Sequence, residues 1–146
     1  MAGNPAAFVL DSFALLAYLE GEAGMSRVRA VLEGAEARRH TVYLSLIHLG
    51  EALYITERER GLVAARRTLA AVDQLPLEIL PVSRATVLAA AHIKASFPIS
   101  YADAFAVVAA RDCGAVVVTG DPEFEPLAKV GVVAVEWLPQ SRGLSR

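Results

Sequence analysis

Ala7-Phe8-Val9-Leu10-Asp11, matched near the other end of the chain by Ala115-Val116-Val117-Val118-Thr119-Gly120-Asp121, is the pattern that decides the fold. Each is a short apolar run with an acid at or just beyond its end. Runs of this length without polar alternation read as strands buried on both faces, the condition of an interior strand in a parallel sheet. Between them strand-like and helix-like segments alternate, so the expected class is α/β.

From the first run outward, a helix is expected over residues 12–19, and a second through Val28, Val31 and Leu32 after Glu20-Gly21-Glu22. A strand at 42–44 leads to a long helix over 47–60 that stops at Gly61, then to a helix with apolar positions at Leu62, Ala65, Leu69 and Val72. The third strand is expected at 77–82. Helices over 84–95 and 101–112 lead to the fourth strand at 115–118, and a fifth is expected at 132–135. The tail after Pro139 is expected to fray. Right-handed crossovers then give a doubly wound parallel sheet of about five strands, and ligands bind beyond the carboxyl ends of strands where the order reverses. The simplest order that sets the two acid-tipped strands side by side is 3-2-1-4-5. Neither a linker nor an internal repeat interrupts the pattern, so residues 1–146 are expected to form one domain.

The chain is 55% hydrophobic, yet no stretch approaches the ~18 uninterrupted apolar residues of a membrane span. The stretch Met1-Ala2-Gly3-Asn4-Pro5 has no basic region, and Phe8-Val9-Leu10 is too short for a signal-peptide core, so a cytoplasmic location is expected. Cys113 is the single cysteine and is read as packing. The formal charge is -2, which does not suggest a protein that grips nucleic acid through overall charge, although the total hides the distribution. One bound divalent cation would bring it to neutral. Of the 14 basic residues all but Lys94 and Lys129 are arginine, clustered at Arg38-Arg39-His40, Arg58/Arg60 and Arg66-Arg67, and arginine suits bidentate phosphate contact.

Asp11, Glu51, Asp103 and Asp121 stand where an apolar segment ends or a helix turns inward. Each has a local explanation. Asp11 and Asp121 could cap helices starting at Ser12 and Pro122, and Ser100-Tyr101-Ala102-Asp103 fits a capping box. Glu51 is harder to dismiss, because its helical neighbours Ile47, Tyr54 and Ile55 should be buried. Yet only five aspartates occur in the chain and three occupy these positions. One shared site accounts for all four acids, and an all-oxygen pocket of like charges calls for a hard cation such as Mg²⁺ or Mn²⁺. A cation so held is a device for attacking phosphodiesters. Ser12 and Thr119 flank the acids, where hydroxyls can orient a carboxylate or cap a turn. His40, His48 and His92 lack metal-ligand spacing, and no glycine-rich phosphate loop occurs. His48, three residues before Glu51, reads first as a structural histidine.

Taken in order, Phe8-Val9-Leu10-Asp11-Ser12, Leu49-Gly50-Glu51-Ala52, Ser100-Tyr101-Ala102-Asp103-Ala104 and Val118-Thr119-Gly120-Asp121-Pro122-Glu123-Phe124 resemble the four motif blocks of PIN-domain ribonucleases, in particular the VapC-type toxins of toxin–antitoxin pairs. The resemblance implies a metal-dependent endoribonuclease in which Asp11, Glu51, Asp103 and Asp121 hold Mg²⁺ or Mn²⁺, with Ser12 and Thr119 in support. It also implies RNA as substrate, a cognate antitoxin as partner and a homodimer. The apolar surplus of the composition independently favours a covered helical surface, and a partner helix in a groove between the early helices and the 47–60 helix would supply it. Phe13 departs from the pattern, standing where the family commonly has a small polar residue. Two rivals are a PIN nuclease of RNA processing without toxin function and a phosphatase or phosphoacceptor domain with Asp11 as nucleophile. A haloacid-dehalogenase-type hydrolase would need a second aspartate where Phe13 stands. A non-catalytic binding module would leave the acid set unexplained.

Overall fold

The computed structural model of the chain describes residues 5–139. Five parallel strands form one sheet, β1 (Ala7–Leu10), β2 (Thr41–Ser45), β3 (Glu78–Leu80), β4 (Val116–Thr119) and β5 (Val135–Trp137), in the order β3-β2-β1-β4-β5. That is the doubly wound arrangement with the two acid-tipped strands as neighbours. The fray expected beyond Pro139 falls outside the described residues.

Alternation along β1 divides the core. Phe8 and Leu10 face a layer containing Leu15, Leu16, Val28, Val31 and Leu32, from helices α1 (Ser12–Glu20) and α2 (Met25–Glu36). Ala7 and Val9 face the opposite layer, where α5 (Arg84–Ser96) and α6 (Tyr101–Cys113) bring Ile93, Phe105 and Val107. Covered on both sides, β1 has no exposed face and therefore no polar residue until its end. The helices α3 (Leu46–Arg60) and α4 (Leu62–Val72) complete the first layer with Ala52 and Val72, and α3 also reaches α6. No single described helix is long and apolar enough to cross a membrane.

The second and fourth strands differ from the sequence reading by one residue at each end, the third and fifth by more. The third strand is shorter than 77–82, because Pro76 and Pro81 bracket it and proline has no N–H for a ladder. The fifth strand is displaced from 132–135 to Val135–Trp137. After a 3-10 turn (Pro122–Phe124) and a short helix, α7 (Glu125–Lys129), the chain reverses at Gly131, whose φ of 76° favours glycine. Val132 donates its N–H to Leu127 O at 3.0 Å, and Val133 is buried, so these valines serve the reversal and the core. Pairing starts only where Val117 N meets Ala134 O at 2.9 Å.

Candidate active site

Right-handed crossovers leave β1 and β4 towards opposite faces of the sheet, and the crevice between their carboxyl ends is where the acids gather. Asp11 is the first residue past β1 and is 1% exposed. One of its oxygens accepts the N–H of Ala14 at 2.9 Å, capping α1, and the other accepts the hydroxyl of Thr119, the last residue of β4. Capping and membership of the acid cluster thus coexist. Asp121 is held in turn, its N–H donating to Thr119 Oγ1 at 2.9 Å while its carboxylate caps the 3-10 turn through Glu123 N–H at 2.9 Å.

Asp103 shows why the capping box is only half made. Ser100 Oγ accepts the N–H of Asp103 at 3.1 Å, as an N-cap should. The reciprocal bond from Ser100 N–H goes to Glu123 Oε1 at 2.7 Å instead. Asp103 is therefore free to turn inward, where it is 5% exposed. Glu51, in the second turn of α3, accepts the hydroxyl of Ser12. Tyr54, expected to share a buried face with it, is instead 50% exposed with the Arg58 guanidinium 5.2 Å from its ring centre. Ala52 and Thr56 on either side of it are buried, so the covered face of α3 is theirs, and Tyr54, about 200° round the helix from each, faces outward.

Ligating atoms of Asp103, Asp121 and Glu123 lie within 4.8 Å of one another, as do those of His48, Glu51 and Asp103. Asp11 belongs to neither tight group, but its charge is felt by Asp103. Burial is the main reason the Asp103 carboxyl is pushed up to about 9, reinforced by repulsion from Asp11, Asp121 and Glu51. Burial likewise raises Asp11 to about 7, opposed by its bonds from Thr119 and Ala14. Like charges this close resist common ionisation, so the cluster holds protons near neutrality that a cation would displace.

The histidine-containing group fits a metal less well. His48 is fully buried; its Nδ1 accepts the N–H of Ser12 at 2.8 Å, so Nε2 carries the proton and donates to Ala102 O at 2.9 Å. No lone pair remains for a cation. Its distances of 3.4 Å to Glu51 Oε1 and 3.7 Å to Asp103 Oδ1 are within ion-pair range, but burial lowers the imidazole pKa. We read a neutral ring beside acids rather than an ion pair. The oxygen-only group of Asp103, Asp121 and Glu123 is the donor set that suits Mg²⁺ or Mn²⁺.

Glu123 is not among the acids singled out by the sequence, and His48, read there as a structural histidine, is structural here through contacts that the sequence does not mark. An acid two residues past Asp121 in a proline-started turn was the available signal for Glu123; nothing local marked the two backbone partners of His48. Phe13 packs its ring against Gly120, where an added Cβ would come within 2.5 Å of it. Arg38 and Arg39 lie by the amino ends of β2 and β3, Arg58 lies over Tyr54, and Arg60 pairs with Glu20 at 3.4 Å. Cys113 is partly buried, and that burial pushes its thiol up, away from reactivity. Asp11, occluded and engaged at both oxygens, is poorly placed as a nucleophile.

Among solved structures, VapBC2 of Rickettsia felis bound to a promoter DNA fragment superposes with a TM-score of 0.70 at 16% identity, covering 91% of this chain and 99% of the other. VapC20 of Mycobacterium tuberculosis, a toxin that cleaves the sarcin–ricin loop, gives 0.67 at 21% identity over 91% and 99%. DNA-bound VapBC of Salmonella typhimurium gives 0.68 at 23% identity over 89% and 96%. No curated protein matches the sequence. At these identities the superpositions establish a shared fold. The model of the PIN domain, however, matches residues 8–130, spanning β1 through α7 and every acid of the crevice, and the chain belongs to the PIN domain family.

Proposed function

We propose that the chain is a divalent-metal-dependent endoribonuclease, acting in the cytoplasm as the toxin of a toxin–antitoxin pair, with residues 1–146 as one nuclease domain. The carrying observation is the acid crevice at the ends of β1 and β4, in which Asp11 and Asp103 are too buried and too crowded to ionise together unaided. Asp103, Asp121 and Glu123 would hold the cation, Mg²⁺ or Mn²⁺, with Glu51 beside Asp103 and Asp11 behind them completing the acid set. When bound, the cation supplies activation of water and neutralisation of charge on a phosphodiester. The chain's own residues prepare for this. Thr119 turns Asp11 towards the crevice and braces the Asp121 backbone with the same hydroxyl, and Ser12 steers Glu51. Half-exposed Tyr101, two residues before Asp103, and Trp137, in register with Thr119, offer ring faces on which unpaired bases can stack.

Toxin function is supported by the fold shared with VapC and VapBC structures. A cleft of ≈ 380 Å³ between α1 and α4 combines Leu19, Val63 and Ala64 with Arg60 and Arg67, which suits an amphipathic antitoxin helix, and an arginine from that partner could pair with the acids. Exposed Leu88 and Leu46 leave apolar helical surface for a homodimer. The test is cleavage of single-stranded RNA in Mg²⁺ by the parent and Asp103→Asn, each with and without EDTA. Cleavage by the parent in Mg²⁺ alone is expected; equal cleavage by Asp103→Asn would refute the site.

A further inference from the structure

We infer that His48 is the positioning residue of the acid crevice, a neutral imidazole strut that sets the spacing of the acids without ligating the cation. This rests on the metal-site reading above and assigns to one ring the registration of three of its acids. Ser12, whose N–H donates to Nδ1 at 2.8 Å, directly follows Asp11 in the chain. Ala102, whose carbonyl accepts from Nε2 at 2.9 Å, directly precedes Asp103. Glu51 lies one turn along α3 from the ring itself, at 3.4 Å. The start of α1, the second turn of α3 and the first turn of α6 are therefore held to one rigid five-membered ring.

The geometry also says what the ring does not do. A backbone N–H can meet Nδ1 only at its lone pair, which makes Nε2 the protonated nitrogen and leaves neither available to a metal. Both backbone groups are in the first turns of helices, where N–H and C=O positions set helix orientation, and the ring is 0% exposed, so no water can substitute. A small displacement of α6 relative to α3 moves Asp103 away from Glu51 directly. Groups that hold ligands in place in this way typically govern affinity by roughly 10- to 100-fold.

Three substitutions separate the functions of the ring. His48→Leu fills the volume but bonds neither partner. His48→Asn places an amide oxygen near the Nδ1 position and can still accept from Ser12, whereas His48→Gln places an amide N–H near Nε2 and can still donate to Ala102. Mn²⁺ binding by calorimetry and steady-state RNA cleavage are measured on all three full-length variants and the parent, with circular dichroism to verify folding. His48→Leu is expected to weaken Mn²⁺ binding roughly 10- to 100-fold and to lower kcat far more than it changes KM, with Asn and Gln each recovering part of the loss. Imidazole ¹⁵N NMR of the parent is expected to show the neutral Nε2–H form with and without Mg²⁺, a readout that needs no variant. Parent-like Mn²⁺ affinity in folded His48→Leu would overturn the positioning role and leave the metal site standing. Ring nitrogens that respond to Mg²⁺ as ligands would overturn it in favour of coordination. A parent that binds no Mn²⁺ would overturn both this inference and the reading beneath it.

Discussion

Replacing Asp103 by asparagine should change how stability responds to pH in protein stripped of metal. Burial first, then the charges of Asp11, Asp121 and Glu51, moves its carboxyl from 3.8 to about 9. Because the folded value is above the unfolded one, between them the folded chain keeps a proton that the unfolded chain has released. Stability is thus undiminished by this group below the unfolded value, falls as pH rises, and stops falling above the folded value. Asp11, raised to about 7 by the same burial, acts with the same sign up to that pH. His48 opposes both in the acid range, since its lowered pKa leaves the folded ring neutral where the unfolded ring is protonated. Between about pH 7.5 and 8.5 the Asp103 contribution dominates, and one proton retained on folding corresponds to a loss of about 1.4 kcal/mol per pH unit. For 146 residues that is about 4 °C in Tm. Urea unfolding in EDTA across that window should show the slope in the parent and its near absence in Asp103→Asn, which is also the more stable protein at the alkaline end. Equal slopes, or a parent whose stability rises with pH, would refute the account of a crowded acid crevice.

Other expectations concern separate parts of the molecule. Gly34→Ala would set a Cβ 2.1 Å from the His40 ring, displacing it from its bond to Val31 O and its edge contact with Phe8, and should cost about 1–3 kcal/mol by chemical denaturation; an unchanged midpoint would contradict the packing. Ser12→Ala removes the hydroxyl that orients Glu51 and should weaken Mn²⁺ binding by about tenfold in calorimetry with little change in Tm. Arg27→Ala breaks the pair with Glu136 that ties α2 to β5, but both side chains are partly exposed, so urea titration should register only about 0.2–1 kcal/mol.

Much of this was legible in the sequence. Interior strands such as β1 and β4 declare themselves because burial on both faces removes polar residues from a short run, and an acid at the end of each is conspicuous against that background. The strand order followed from placing those two acids together. The rest depended on contacts distant in sequence. Val132 and Val133 resemble a strand by composition, but the reversal at Gly131 uses them for packing and moves β5 to Val135–Trp137. Tyr54 has the spacing of a buried residue, yet the buried face of α3 runs through Ala52 and Thr56 and leaves Tyr54 on the opposite side. The work of His48 was hidden because both its partners are backbone groups, 36 and 54 residues away, and a backbone partner leaves no residue-type signal. Glu123 was obscured because the Ser100 backbone it binds comes 23 residues earlier.

The acids at the ends of β1 and β4 are proposed to hold a divalent cation. Anomalous diffraction from a crystal of the chain soaked in Mn²⁺ tests this most directly. The account predicts a single strong cluster of anomalous density within about 2.2 Å of carboxylate oxygens of Asp103 and Asp121, with the His48 nitrogens outside the coordination sphere. Density absent from the crevice, or centred on a His48 nitrogen, would contradict it.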